Sequence, residues 1–141
     1  MKAFFDTSVL IAAFTETHPH HQPSFRAFAA ADRESSACAA HTMAEVFAVL
    51  TRLPVKPPIS PQAAVLSISE IRSRLTVISL DEEDYFHTLE DAAGLALSGG
   101  RIYDALLLRC AEKHGSDVVY TWNLKHFQSI APQLADRIRT P

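Results

Sequence analysis

The chain has 141 residues, enough for one domain and little room for a second, so residues 1–141 read as a single unit. Hydrophobic residues make up 48% and charged residues 21%, ordinary for a globular fold that needs no disulfides to keep its core. A net charge of −3 argues against recognition of nucleic acid by bulk electrostatics, so an RNA partner would need something local, such as a bound divalent cation, to offset the acidity.

Residues 2–5 form a short apolar run that stops at Asp6 and read as a buried strand, and residues 7–14 continue at helical apolar density. A helix is expected over 24–32, where Phe25, Phe28 and Ala29 fall at i, i+3, i+4. Residues 36–40 fit a second strand. Residues 42–53 fit a helix with Met43, Val46, Phe47, Val49 and Leu50 on a broad apolar face. Pro54, Pro57, Pro58 and Pro61 punctuate a loop, because proline removes a helical donor and restricts its predecessor. A helix over 61–74 and a strand over 75–80, containing Val77 and Ile78, come next. Asp81 with Glu82, Glu83 and Asp84 marks a helix start, with acids at the positive end of the dipole, and Ser98-Gly99-Gly100 its end. A further helix spans 102–114 and stops at Gly115, and 117–121 is the last clear strand. Strands alternating with helices, with no tight hairpin between them, predict an α/β domain whose parallel sheet is covered by helices.

Cys38 and Cys110 lie among alanines and leucines and form no C-x-x-C pair, so buried reduced thiols are expected rather than zinc or redox chemistry. The opening MKAFFDTSVLIAAF is interrupted by Asp6 and shows no clean cleavage site. No stretch approaches the roughly 18 apolar residues of a membrane span. The expectation is a cytoplasmic protein with no membrane contact.

Ligands of open parallel sheets sit outside the carboxyl ends of the strands. Asp6 ends the first strand and Thr121-Trp122-Asn123 follows the last, so both fall on that edge. Asp6 reads equally as an N-cap for the next helix, with Thr7 and Ser8 as alternates. Glu45 is the only acid in HTMAEVFAVLTRL, and Asp104 stands in RIYDALLLRCAEKHG just ahead of Ala105, Leu106, Leu107 and Leu108. An ionised aspartate buried by such a helix is costly unless compensated. The competing reading places Asp104 in an exposed first turn, stabilised by the helix dipole. Carboxylates gathered in one pocket repel each other unless a cation is present, and oxygen-only donors suit Mg²⁺ or Mn²⁺ rather than zinc.

FFDTSVLIAAF, TMAEVFAVLTRL, RIYDALLLRCAEKHG and VVYTWNLKHF resemble, in order, the successive motifs of PIN domains, and in particular those of the VapC-like toxins of bacterial toxin–antitoxin pairs. The resemblance covers almost the whole chain. It implies a three-layer α/β/α domain with a mostly parallel central sheet. It also implies a Mg²⁺-dependent endoribonuclease, with Mn²⁺ as a possible substitute, in which Asp6, Glu45 and Asp104 hold the metal and Ser8 and Thr121 support them. An RNA substrate, a small antitoxin inserting a segment near the acidic pocket, and a homodimer follow as implied partners. Many family members carry a fourth acid where this chain has Asn123. An amide oxygen can still serve there but adds no charge, so Asn123 joins the catalytic set as a weaker position, with a turn or cap role as the alternative.

Other readings stay open at this point. A haloacid-dehalogenase-like phosphatase wants a second Asp where Ser8 stands, and neither it nor a receiver domain is favoured by the absence of a Gly-rich phosphate loop. An RNA-processing nuclease of the same fold without an antitoxin, and a binding module without chemistry, are the remaining alternatives. His18, His20 and His21, among Pro19 and Pro23, read as a solvated loop rather than a metal cluster. His41, four residues before Glu45, either orients that carboxylate or is an exposed helix-start residue, and His126 is undecided. Arg101 could meet a phosphate or pair with an acid. Val46-Phe47 with Val49-Leu50 could face the core or a partner.

Overall fold

Alternation along short strands divides the molecule into two faces. In a computed structural model describing residues 1–141, β1 (Ala3–Phe5) sends Ala3 and Phe5 to one core and Phe4 to the other. β2 (Ser36–Ala39) splits Cys38 from Ala37 and Ala39 in the same way, and β4 (Val118–Tyr120) splits Val118 from Val119. One face is covered by α1 (Thr7–Ala13), α2 (His21–Ala29), α3 (Ala40–Leu50) and α4 (Pro61–Arg74), which supply Val9, Leu10, Phe28, Val46, Leu50 and Ile71. The other is covered by α6 (Arg101–His114) and α7 (Leu124–Ile130) through Leu107, Leu108, Cys110, Ala111, Phe127 and Ile130, with α5 (Glu82–Gly94) packed against α6. Phe4 and Phe5 are both buried, each contributing roughly 1.5–3 kcal/mol of hydrophobic stabilisation on its own side of the sheet.

With β3 (Thr76–Ile78) and β5 (Ile138–Arg139), the sheet has five strands in the order β3-β2-β1-β4-β5, every pair parallel. The expected α/β/α layering therefore holds, with a sheet that is parallel throughout. The chain builds outward from β1 to β3 and then returns to lay β4 on the opposite flank of β1. Strand order reverses between β1 and β4, and ligands bind in the crevice that such a reversal opens at the carboxyl ends. Asp6 N–H donates to the Tyr120 carbonyl at 3.0 Å and Thr121 N–H to the Arg139 carbonyl at 3.0 Å. These bonds fix Asp6 and Thr121 side by side at the mouth of the crevice.

Several boundaries follow from local chemistry. Ser60 Oγ accepts Ala63 N–H at 3.1 Å ahead of Pro61, so α4 starts where proline is tolerated. Asp81 and Asp84 form a reciprocal capping box, at 2.8 and 3.1 Å, that opens α5. Gly115 closes α6 with φ 74°, the left-handed conformation glycine adopts freely.

Other expectations are corrected. α5 ends at Gly94 rather than at Ser98-Gly99-Gly100. Ala96 takes the left-handed position at φ 55°, and Leu97 N–H reaches back to the Ala92 carbonyl at 2.9 Å, so the stop uses an alanine where glycine is usual. α2 begins at His21 rather than residue 24, and its buried positions are Ser24 and Phe28 while Phe25 is exposed. Ser24 is drawn inward because its hydroxyl accepts Trp122 Nε1–H at 2.8 Å. α7, a 3₁₀ turn (Pro132–Arg137) and β5 lie beyond the last expected strand. Both cysteines are free and buried, and burial pushes Cys38 up to about 12 and Cys110 up to about 11, so they are protonated, inert thiols as expected. No helix is long and apolar enough to cross a membrane.

Candidate active site

Asp6 occupies the N-cap position of α1, but its side chain makes no capping hydrogen bond, which removes the cap reading. Instead Oδ2 accepts both the Ser8 hydroxyl and the Thr121 hydroxyl, each at 2.7 Å. Those hydroxyls are held in turn: Trp122 N–H donates to Ser8 Oγ and Asn123 N–H to Thr121 Oγ1, both at 3.0 Å. Ser8 and Thr121 thus hold the Oδ2 side of the Asp6 carboxylate in place. No side chain donates to Oδ1, and no buried side-chain oxygen or nitrogen lacks a partner, so Oδ1 opens onto the crevice, with the Thr7 and Ser8 backbone N–H groups near the carboxylate. Asp6 is only 2% exposed. Burial raises its proton affinity above the ordinary carboxylate value, and the hydrogen bonds from Ser8 and Thr121 oppose the shift.

Glu45 reaches the same region from α3. Its Oε1 accepts the Thr7 hydroxyl at 2.9 Å, and Thr7 Oγ1 is 2.9 Å from Thr42 Oγ1. Thr7 has a single hydroxyl proton and gives it to Glu45, so Thr42 is the donor to Thr7. Neither threonine figured in the sequence reading as a support for Glu45. The signal was present, since Thr42 precedes Glu45 by one helical turn and shares its face. Thr7→Val keeps the shape but leaves the buried Thr42 hydroxyl without its acceptor. A loss of about 1–3 kcal/mol is expected in a denaturant titration. Thr7→Ser should stay close to the parent, and equal losses in both would mean that packing, not the hydroxyl, holds this corner.

Asp104 stands in the first turn of α6, half-buried, with Leu107 and Leu108 buried one turn further on. It makes neither a hydrogen bond nor an ion pair with any side chain. Burial pushes its carboxyl up to about 6, the Asp6 charge adds to the rise, His126 opposes it, Glu45 adds further and Arg101 opposes. The three acids therefore feel one another across one crevice. They do not by themselves make a metal site: no group of three or more His, Cys, Asp or Glu side chains is placed to hold a metal ion. All available donors are carboxylate oxygens, which suits a hard cation completing its shell with water and substrate oxygens.

Asn123 is N-terminal to α7, exposed, and its side chain makes no capping bond, so the cap role is not realised. Arg101 pairs with no acid and donates to Ser129 Oγ at 2.7 Å. His41 is exposed at the start of α3 with Nε2 3.9 Å from Glu45 Oε1, and its ring lies parallel to that of Tyr103. Part of the histidine segment lies in α2 rather than in a loop. His21 opens α2 with Nδ1 2.9 Å from the Ala12 carbonyl, and His20 stacks on Trp122 at 3.8 Å with an 8° interplanar angle. On α3, Val46 and Leu50 enter the core, while Phe47 stays outside.

Parallel-sheet topology and a crevice of acids at its reversal point are joined here in one chain, and residues 3–131 match the PIN domain family. The chain belongs to that family. It is similar to Ribonuclease VapC40 of Mycobacterium tuberculosis, 32% identical over 114 residues that make up 81% of either chain. Ribonuclease VapC27 of the same organism is 31% identical over 113 residues, covering 80% of this chain and 79% of the other. Solved structures share the fold. VapC20 of M. tuberculosis, described as a sarcin–ricin loop cleaving toxin, has a TM-score of 0.70 at 19% identity, covering 86% of this chain and 90% of its own. VapBC2 of Rickettsia felis, bound to a DNA fragment from its promoter, has a TM-score of 0.64 at 16% identity, covering 99% and 97%. A toxin–antitoxin complex from Klebsiella pneumoniae has a TM-score of 0.65 at 22% identity, covering 92% and 93%.

Proposed function

We propose that this chain is a Mg²⁺-dependent endoribonuclease and the toxin of a VapBC-type toxin–antitoxin pair. The observation that carries the reading is that Asp6 at the head of α1, Glu45 in the middle of α3 and Asp104 in the first turn of α6 face one crevice at the carboxyl ends of the strands, close enough that the Asp6 and Glu45 charges add to burial in raising the Asp104 carboxyl. Similarity to proteins named ribonucleases supports the substrate class. Appearance of the fold in toxin–antitoxin complexes supports an inhibitory partner.

Asp6 through its free Oδ1, Glu45 through its free Oε2, and Asp104 would hold the cation. When bound, Mg²⁺ or Mn²⁺ polarises the phosphodiester and makes water a competent nucleophile at neutral pH. The chain's own residues do the positioning. Ser8 and Thr121 keep Asp6 from turning back to cap α1, and Thr7 fixes the carboxylate of Glu45. Arg101 brings positive charge opposite Asp104, where an RNA phosphate would approach. The antitoxin would place a basic side chain among the same acids and exclude the metal, and the chain would self-associate as a homodimer.

Incubating single-stranded RNA with the purified chain and Mg²⁺ should give internal fragments. Production together with the neighbouring gene of its operon should yield a complex that does not cut. Fragments that appear only from RNA ends, or a chain that is always solitary and active, would overturn the two halves of the proposal separately. Asn123→Asp adds one negative charge at the crevice edge and should lower the Mg²⁺ concentration for half-maximal cleavage. An unchanged metal titration would place Asn123 outside the site.

A further inference from the structure

We propose that Tyr103 and His41 form a stacking platform for one unpaired RNA base beside the phosphate that is cut, an inference that rests on the ribonuclease reading above. Tyr103 is 53% exposed although its neighbour Asp104 is half-buried in the crevice. Its ring and the His41 imidazole are parallel within 5°, with centroids 5.8 Å apart, an offset arrangement that leaves ring face uncovered. Each ring is tied to an acid of the site. His41 sits 3.9 Å from Glu45, and Tyr103 precedes Asp104 on α6. A base lying on this pair would leave its own phosphate beside those carboxylates.

Behind the rings a cavity of about 190 Å³, lined among others by Ala39, Ile78, Leu80, Tyr85 and Leu107, opens at the carboxyl ends of β2 and β3. Its mostly apolar walls suit a flat ring rather than a phosphate. The charge of the chain points the same way. At a net −3, with acids concentrated at the crevice, phosphate contacts alone give little hold on RNA. Stacking is indifferent to charge and to base identity, and it requires a base that is not already paired. A protein side chain is the competing occupant. Two parallel, exposed rings with polar edges, one of them 3.9 Å from the Glu45 carboxylate, favour the base.

The test compares steady-state cleavage of a short RNA by the parent, Tyr103→Ala and Tyr103→Phe. Twin RNAs carry an abasic residue at each position flanking the cut. Tyr103→Ala should raise KM roughly 5- to 150-fold with kcat little changed, and Tyr103→Phe should restore it. One abasic position should raise KM for the parent and add nothing further in Tyr103→Ala. If the alanine variant melts far below the parent, Tyr103→Leu, which keeps bulk without an aromatic face, takes its place. Unchanged KM, additive abasic and alanine effects, or a loss confined to kcat would overturn the platform. Loss of the co-produced partner with KM kept would assign the rings to the antitoxin and overturn it as well. An RNA that the parent never cuts with Mg²⁺ or Mn²⁺ would instead overturn the ribonuclease reading, and the platform with it.

Discussion

Asp104→Asn is expected to reduce RNA cleavage by more than about 100-fold, beyond the 10- to 100-fold loss typical of residues that merely orient a metal ligand. The metal-free protein should nevertheless become more stable near neutral pH. The carboxyl of Asp104 is pushed up to about 6 in the fold from an ordinary 3.8. Above about pH 6 it is ionised in both folded and unfolded chains, and only the folded chain suffers from burial and from the charges of Asp6 and Glu45. That destabilisation is present in full above the folded value, fades as pH falls towards 3.8, and is absent below it. Two pH units would correspond to about 3 kcal/mol, but a half-exposed group is screened by water, so a gain of about 1 kcal/mol is expected. Melting curves in EDTA should show the gain at neutral pH and none near pH 4. If Asp104 served only the helix dipole, the same change would cost about 0.3–1 kcal/mol and leave cleavage intact. A mutant that melts lower yet cuts normally would remove Asp104 from the site.

Asp6→Ala should abolish cleavage and also cost stability, whereas Asp6→Asn should abolish cleavage alone. The difference lies in Oδ2, which accepts from both Ser8 and Thr121. An asparagine oxygen can keep both bonds while its amide takes the place of the free Oδ1. Alanine leaves two hydroxyls without an acceptor in a corner where Thr121 is fully buried. A buried unsatisfied group costs about 1–3 kcal/mol, so Asp6→Ala should be less stable than Asp6→Asn by that amount. Removal of a buried carboxylate relieves its desolvation in both variants, which is why the comparison between them is cleaner than either against the parent. Equal denaturation midpoints for the two would show that the hydroxyls do not hold Asp6.

Which parts of this site could be read from the sequence depended on how local their causes are. Asp6 and Thr121 were legible because each ends an apolar run, and strand ends in a parallel sheet face the crevice. Glu45 and Asp104 stood out as acids on apolar helices, but only the family resemblance joined them to Asp6. Their meeting depends on how α3 and α6 leave opposite faces of the sheet, which no spacing encodes. The stop of α5 is not legible from its glycines, because Ala96 takes the left-handed position while the glycines lie further on. β5 has only two residues, too few to show alternation, yet its Arg139 carbonyl holds Thr121 N–H. The Trp122–Ser24 bond and the Tyr103–His41 stack join residues far apart in the chain, and nothing near either partner announces the other.

Three carboxylates acting through one kind of divalent cation can be tested in a single assay. RNA cleavage by the purified chain is followed in Mg²⁺, then with excess EDTA, then after Mg²⁺ is restored. Cleavage in the first and third conditions and none in the second is expected, because carboxylates alone neither polarise the phosphodiester nor activate water sufficiently. Undiminished cleavage in EDTA would contradict the assignment of Asp6, Glu45 and Asp104 as a metal-holding set.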